Sequence, residues 1–133
     1  PHLQGTGVDL GQQGNGVFVS GRYAYIVRSS ASGNEFQIYD VSNPASPTSV
    51  GGVELGVAAS DIFVSGRYAY IVRSSASGNE FRIYDVSNPA NPLYVGGADN
   101  GGGNTWGIFI SGKYVYWVDG SGTLLKIYNI SNP

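Results

Sequence analysis

Apolar and polar residues alternate along this chain in short bursts, and nowhere do they form the 3.6-residue stripe of an amphipathic helix. Each apolar run is short and has Gly, Asn or Pro at its ends, which is how strands bounded by turns read. The run at 18–20 stops at Ser20-Gly21, and YAYIV resumes at once over 23–27, so two strands joined by a tight turn are predicted. SSASGN at 29–34 is turn chemistry throughout and leads into a third strand over 36–41. Ser42-Asn43-Pro44 ends that strand, because proline lacks the amide hydrogen a ladder needs. A weaker fourth strand is expected around 49–54, before a glycine-rich return.

This unit of strands then recurs. Residues 17–47 (VFVSGRYAYIVRSSASGNEFQIYDVSNPASP) return at 62–92, 45 residues later, with differences only at Val17/Ile62, Gln37/Arg82 and Ser46/Asn91. A third, diverged copy (IFISGKYVYWVDGSGTLLKIYNISNP) runs over 108–133, offset by 46 residues and two residues shorter in its central loop. Periods of this size mark stacked or radial repeat architectures. The best-formed strands, YAYIV and FQIYDV, carry apolar residues on both faces, as strands in sheets covered on both sides do. The fold class expected is therefore all-β: a β-propeller with three four-stranded blades per chain, read as one three-blade segment over 1–133 with units at about 1–46, 47–91 and 92–133. A β-solenoid is the second architecture, but its repeats are typically shorter and lack three internal turns per unit.

The segments IYDVSNPASP, IYDVSNPANP and IYNISNP, each preceded by VSGRYAYIV or ISGKYVYWV, resemble the LVIVD repeat, and the resemblance covers nearly the whole chain. It implies a bacterial or archaeal propeller-type protein, exported or displayed at the cell surface, and no defined reaction. Tyr39 and Tyr84 stand where that repeat often has an aliphatic residue, and Asp40 and Asp85 give way to Asn129 in the last copy.

The repeat phase bears on how the chain closes. Pro1, Pro47 and Pro92 align, so the chain opens on the outermost strand of a blade and ends after a third strand. Three blades fall below the usual ring of about four to eight. Exchange of the opening strands 1–8 between two copies would complete each third blade and close a six-bladed homodimer. Three copies would give nine blades, and a chain continuing beyond both ends would close with its own repeats.

Composition narrows the chemistry. Glycine (21) and tyrosine (10) are abundant, and only 12% of residues are charged against a globular average near 25%. A net charge of −2 with no long run of either sign makes nucleic acid a poor partner, and no apolar stretch is long enough to span a bilayer. With no cysteine, the fold does not rest on disulfides and the redox compartment cannot be read from thiols.

Most of the chemically competent side chains have a structural role as their simplest reading. His2, the only histidine, sits on the opening strand without catalytic partners nearby. Arg28 and Glu35, repeated as Arg73 and Glu80, bracket the central loop as oppositely charged cross-strand neighbours that stabilise pairing. Asp40 and Asp85 are expected to cap the following turn, a role asparagine also fills at 129. The run DNGGGN at 99–104 lacks the ordered ligand spacing of a calcium loop, and no metal or cofactor is expected. Trp117 reads as core. Trp106 stands where the other copies carry Asn15 or Ser60, before the innermost strand, where it could offer a stacking surface for sugar or peptide.

The copies differ most in the loops 11–16, 57–61 and 99–107. Asn15, Asp61, Asp99, Asn104 and Trp106 are therefore the candidate ligand-binding residues, and no catalytic residue is identified. The function expected is a non-catalytic binding or display scaffold, extracellular or at the cell surface, whose partners are itself and a protein, peptide or glycan. The alternative is an enzyme or glycan-binding lectin with its site at the axial mouth.

Overall fold

The computed structural model describes residues 7–29, 33–74, 79–99, 105–119 and 124–131. Among them every regular element is a strand: β1 (Gly14–Ser20), β2 (Tyr23–Arg28), β3 (Phe36–Asp40), β4 (Thr48–Val53), β5 (Ala59–Ser65), β6 (Tyr68–Arg73), β7 (Phe81–Asp85), β8 (Leu93–Ala98), β9 (Thr105–Ser111), β10 (Tyr114–Asp119) and β11 (Leu124–Asn129). They form three antiparallel meanders, β1-β2-β3-β4, β5-β6-β7-β8 and β9-β10-β11. Apart from the opening strand expected over 1–8, the predicted strands are present, each shifted by a few residues at most, and β1 begins earlier than its apolar run because Gly14 and Gly16 continue the ladder.

The tight turn between the first two strands of each sheet rests on one glycine. Gly21, Gly66 and Gly112 have φ of 62°, 61° and 58°, while among the described residues none other than glycine has positive φ. Positive φ at the first central position only is the type II′ hairpin, whose twist matches that of the strands it joins.

The sheets stack face to face with β1 lying along β5 and β5 along β9, so the first strand of each meander is innermost. This is how successive blades sit in a β-propeller. Tyr25, Val27, Phe36 and Ile38 of the first sheet bury against Ile62, Val64, Ala69, Ile71 and Tyr84 of the second. Tyr70, Val72, Phe81 and Ile83 of the second bury against Ile108, Ile110, Val115 and Trp117 of the third. The same positions thus make both interfaces, which is why the middle strands are apolar on both faces. Along the inner strands Phe18, Phe63 and Phe109 form a row, with ring centroids 4.6 Å and 5.0 Å apart.

Close approach of the blades also fixes a glycine on an outer strand. A Cβ on Gly51 of β4 would lie 2.1 Å from the carbonyl oxygen of Pro89, so the Ser-Asn-Pro turn after β7 rests on bare backbone. Each sheet runs from innermost to outermost strand, out of phase with units counted from Pro1. Of the expected opening strand, residues 1–6 lie outside the described residues, and Gly7 and Val8 are not in a strand.

Candidate functional site

The inner strands share an irregularity at one end. In β1 the register passes from Gly14↔Arg28 to Gly16↔Val27, which leaves Asn15 with no opposite residue. Ser60 is skipped between Ala59↔Arg73 and Asp61↔Val72. Trp106 is skipped between Thr105↔Asp119 and Gly107↔Val118. Each inner strand therefore carries a β-bulge at the same repeat position, a device that re-aims a side chain out of the ladder.

The three bulge residues converge on an open depression of about 460 Å³, lined also by Ser29, Ser74 and Thr105. Local bonds hold its rim. The Asn15 side-chain nitrogen donates to the Ala59 carbonyl at 2.9 Å, joining the first blade to the second. The Thr105 hydroxyl, fully buried, donates to the Arg73 carbonyl at 2.8 Å and joins the second to the third. The Ser29 and Ser74 amides donate to the carbonyls of Gln13 and Ala58, the residues that lead into the bulges. Trp106, held at this rim, is 63% exposed.

The structure thus brings Asn15 and Trp106 together and adds Ser29, Ser60 and Ser74, which the sequence reading did not single out. Their signal was available in their repeat positions next to the bulges. Asp61 lies one residue beyond, and its carboxylate is engaged otherwise. One oxygen accepts from its own Ile62 amide at 2.9 Å and the other from Ile108 of the next blade at 3.0 Å. Gly16, its repeat equivalent in β1, leaves room for this carboxylate, since a Cβ there would lie 3.1 Å from its Oδ1. Asp99 is exposed at the end of β8 and does not line the depression. Asn104 lies outside the described residues, as does His2.

The expected pairing of Arg28 with Glu35 is corrected. Their backbones do pair, the Arg28 amide donating to the Glu35 carbonyl at 2.9 Å, but their buried side chains part. The Arg28 guanidinium donates to the carbonyls of Asn34 and Leu10, and the Glu35 carboxylate accepts from the amides of Leu55 and Gly56. Leu55, buried in the segment that crosses from the first blade to the second, and half-buried Leu10 before β1 have no ladder, so their backbone groups need partners, and these side chains supply them. Arg73 repeats the arrangement, donating to Asn79 and Leu55, and burial holds its guanidinium below the usual arginine value.

At the opposite end of the strands Asp40 caps its turn, accepting from the Ser42 amide at 2.9 Å and hydroxyl at 2.7 Å. Asp85 accepts from the Ser87 amide and Asn129 from the Ser131 amide, both at 2.9 Å, so asparagine does make the same turn. The two aspartates also take Arg22 and Arg67, respectively, across the hairpin at 2.5 Å, ion pairs that the sequence reading missed. The Ser42 hydrogen bonds, then Arg22, lower the Asp40 carboxyl to about 2. Arg67 and then Ser87 do the same for Asp85.

Among the described residues no group of three His, Cys, Asp or Glu side chains could hold a metal ion. No helix among them is long and apolar enough to cross a membrane.

Comparison with known proteins follows the repeat. The LVIVD repeat family matches the chain three times in tandem, over residues 13–54, 56–100 and 102–133. These spans begin at the innermost strands, as the sheets do. No curated protein matches the chain. Among solved structures, the chain is similar to a crystal structure of the computationally designed Ika8 protein, with a TM-score of 0.59 and 11% identity over 88% of this chain. The match spans 33% of that protein, so the likeness shows the fold of about a third of it and nothing of function.

Proposed function

The chain belongs to the LVIVD repeat family, and we propose that it is a non-catalytic propeller scaffold for binding, exported or cell-surface, whose blades close into a ring with those of a second copy. The observation that carries this reading is a difference in burial between equivalent residues. Ile62 is 3% exposed and packs on the preceding blade, whereas its counterpart Val17 is 64% exposed. At the other end Leu125 is 61% exposed where its counterpart Phe36 is fully buried. Val19 and Ile127 repeat the contrast.

The two exposed faces are the two halves of a contact made twice within the chain. Seating a second copy's first blade on the third blade would make that contact again and remove both apolar faces from water. Done reciprocally, it gives a two-fold ring of six blades, within the usual range of about four to eight. In this arrangement residues 1–8 of the partner supply the outer strand beside β11, whose outer edge is unpaired among the described strands. The setting outside the cytoplasm rests on the resemblance of the repeats alone. The depression at the bulges, lined among the described residues by serine, asparagine, threonine, alanine and tryptophan, supplies hydrogen bonds and a stacking surface.

Light scattering tests the ring. A particle of twice the 14.0 kDa chain mass is expected. A folded, monodisperse species of single-chain mass overturns the proposal, and a threefold mass replaces the six-bladed dimer by a nine-bladed trimer.

A further inference from the structure

We infer that the depression at the three bulges is a binding site for a neutral saccharide, with Trp106 as the platform on which one face of a pyranose ring lies. This deepens the reading of the chain as a binding scaffold but does not rest on ring closure, because one chain supplies the lining.

Three observations carry it. First, the same bulge recurs in every blade and delivers Asn15, Ser60 and Trp106 to one place. A bulge interrupts ladder pairing, and bulges are over-represented beside functional sites. Second, Trp106 is 63% exposed although Asn15 and Ser60 show that a small polar residue suits the position. An indole left in water next to hydroxyl and amide groups is the combination that recognises a ring with an apolar C–H face and an equatorial rim of hydroxyls. Ser29, Ser60 and Ser74 can each donate and accept. The nitrogen of Asn15 donates to the Ala59 carbonyl and, at 3.4 Å, to the Ser29 hydroxyl, so its oxygen is the group it offers to a ligand.

Third, among the described residues no charged side chain lines the depression, so phosphate, carboxylate or ammonium ligands would meet no counter-charge from them. Asp61, the residue after Ser60, already accepts two backbone amides. A peptide binding by strand addition needs an unbroken edge, and the bulges interrupt the inner strands here.

The test is a titration of intrinsic tryptophan emission with tetrasaccharides of β-1,4-linked glucose, α-1,4-linked glucose and β-1,4-linked N-acetylglucosamine, and with uncharged Gly/Ser/Ala peptides. Buried Trp117 responds little, so a change reports Trp106. One saccharide is expected to give a saturable change, and isothermal titration calorimetry, which needs no indole at the site, should show binding about tenfold weaker in W106A and largely restored in W106F, with circular dichroism unaltered. Ser60→Ala should weaken binding several-fold, roughly one hydrogen bond's worth. Failure of all three saccharides, or equal binding by W106A, overturns the inference, and saturable binding of the peptides alone replaces it with a peptide site. Light scattering on the same samples separates the two proposals: a ring that binds no saccharide sinks only the site, and a single chain that binds one sinks only the ring.

Discussion

Glu35 of the first blade and Arg73 of the second hold opposite sides of one residue, the carboxylate accepting the Leu55 amide at 2.6 Å and the guanidinium donating to the Leu55 carbonyl at 2.6 Å. Both side chains are buried, so removing either strands a charge-assisted partner in the crossing segment. Glu35→Ala should cost about 3 kcal/mol in urea unfolding. Glu35→Gln, which keeps an acceptor oxygen, should cost clearly less. Equal losses in the two variants would show that the hydrogen bonds to Leu55 and Gly56 matter little.

Acid should loosen the hairpin turns within a defined window. Asp40 and Asp85 are lowered from 3.8 to about 2, so their contribution is complete above about pH 4 and is lost as pH falls toward 2. The double variant D40N/D85N keeps the turn that Asn129 makes but not the bonds of ionised carboxylates to Arg22 and Arg67. It should be less stable than the parent at pH 6, and the difference should shrink across pH 4 to 2. A parallel pair of stability curves would contradict the assignment.

Gly51 should tolerate no side chain. A methyl group there meets the Pro89 carbonyl at 2.1 Å and Ala90 Cα at 3.0 Å, both backbone, so one blade must shift against the next. Gly51→Ala is expected to lose about 2–3 kcal/mol or more, read as a lower midpoint in thermal unfolding. An unchanged midpoint would mean that the turn after β7 does not rest on β4.

Charge on an exposed blade face should break assembly and leave the blades folded. Val19→Lys and Ile127→Lys each place an ammonium where the proposed contact buries the residue, while in the single chain both positions face water. Each variant should sediment at single-chain mass with an unchanged dichroism spectrum. Val64→Lys, the buried equivalent of Val19, should instead unfold the chain. Retention of the parent mass by both exposed-face variants would exclude this interface.

Local chemistry, read from the sequence, determined the strands, their turns and the three copies. Short apolar runs, the glycine after Ser20 and the proline at 44 act within a few residues of themselves, so their consequences need no knowledge of the fold. The turn-capping role of Asp40, Asp85 and Asn129 was legible for the same reason. Only the tertiary structure decided which side chains share a place. Asn15 and Trp106 are 91 positions apart in the numbering, and they meet because stacked blades set equivalent residues side by side. Asp61 reads as a free carboxylate until Ile108, from the next blade, is seen to donate to it. Arg28 and Glu35 read as a pair because they flank one loop, yet Arg28 turns to the Leu10 carbonyl before β1 and Glu35 to the Leu55 amide between the first two blades, groups that no ladder satisfies. Periodicity specifies the neighbours within a sheet, whereas contacts between sheets depend on stacking and register, which a single repeat does not encode.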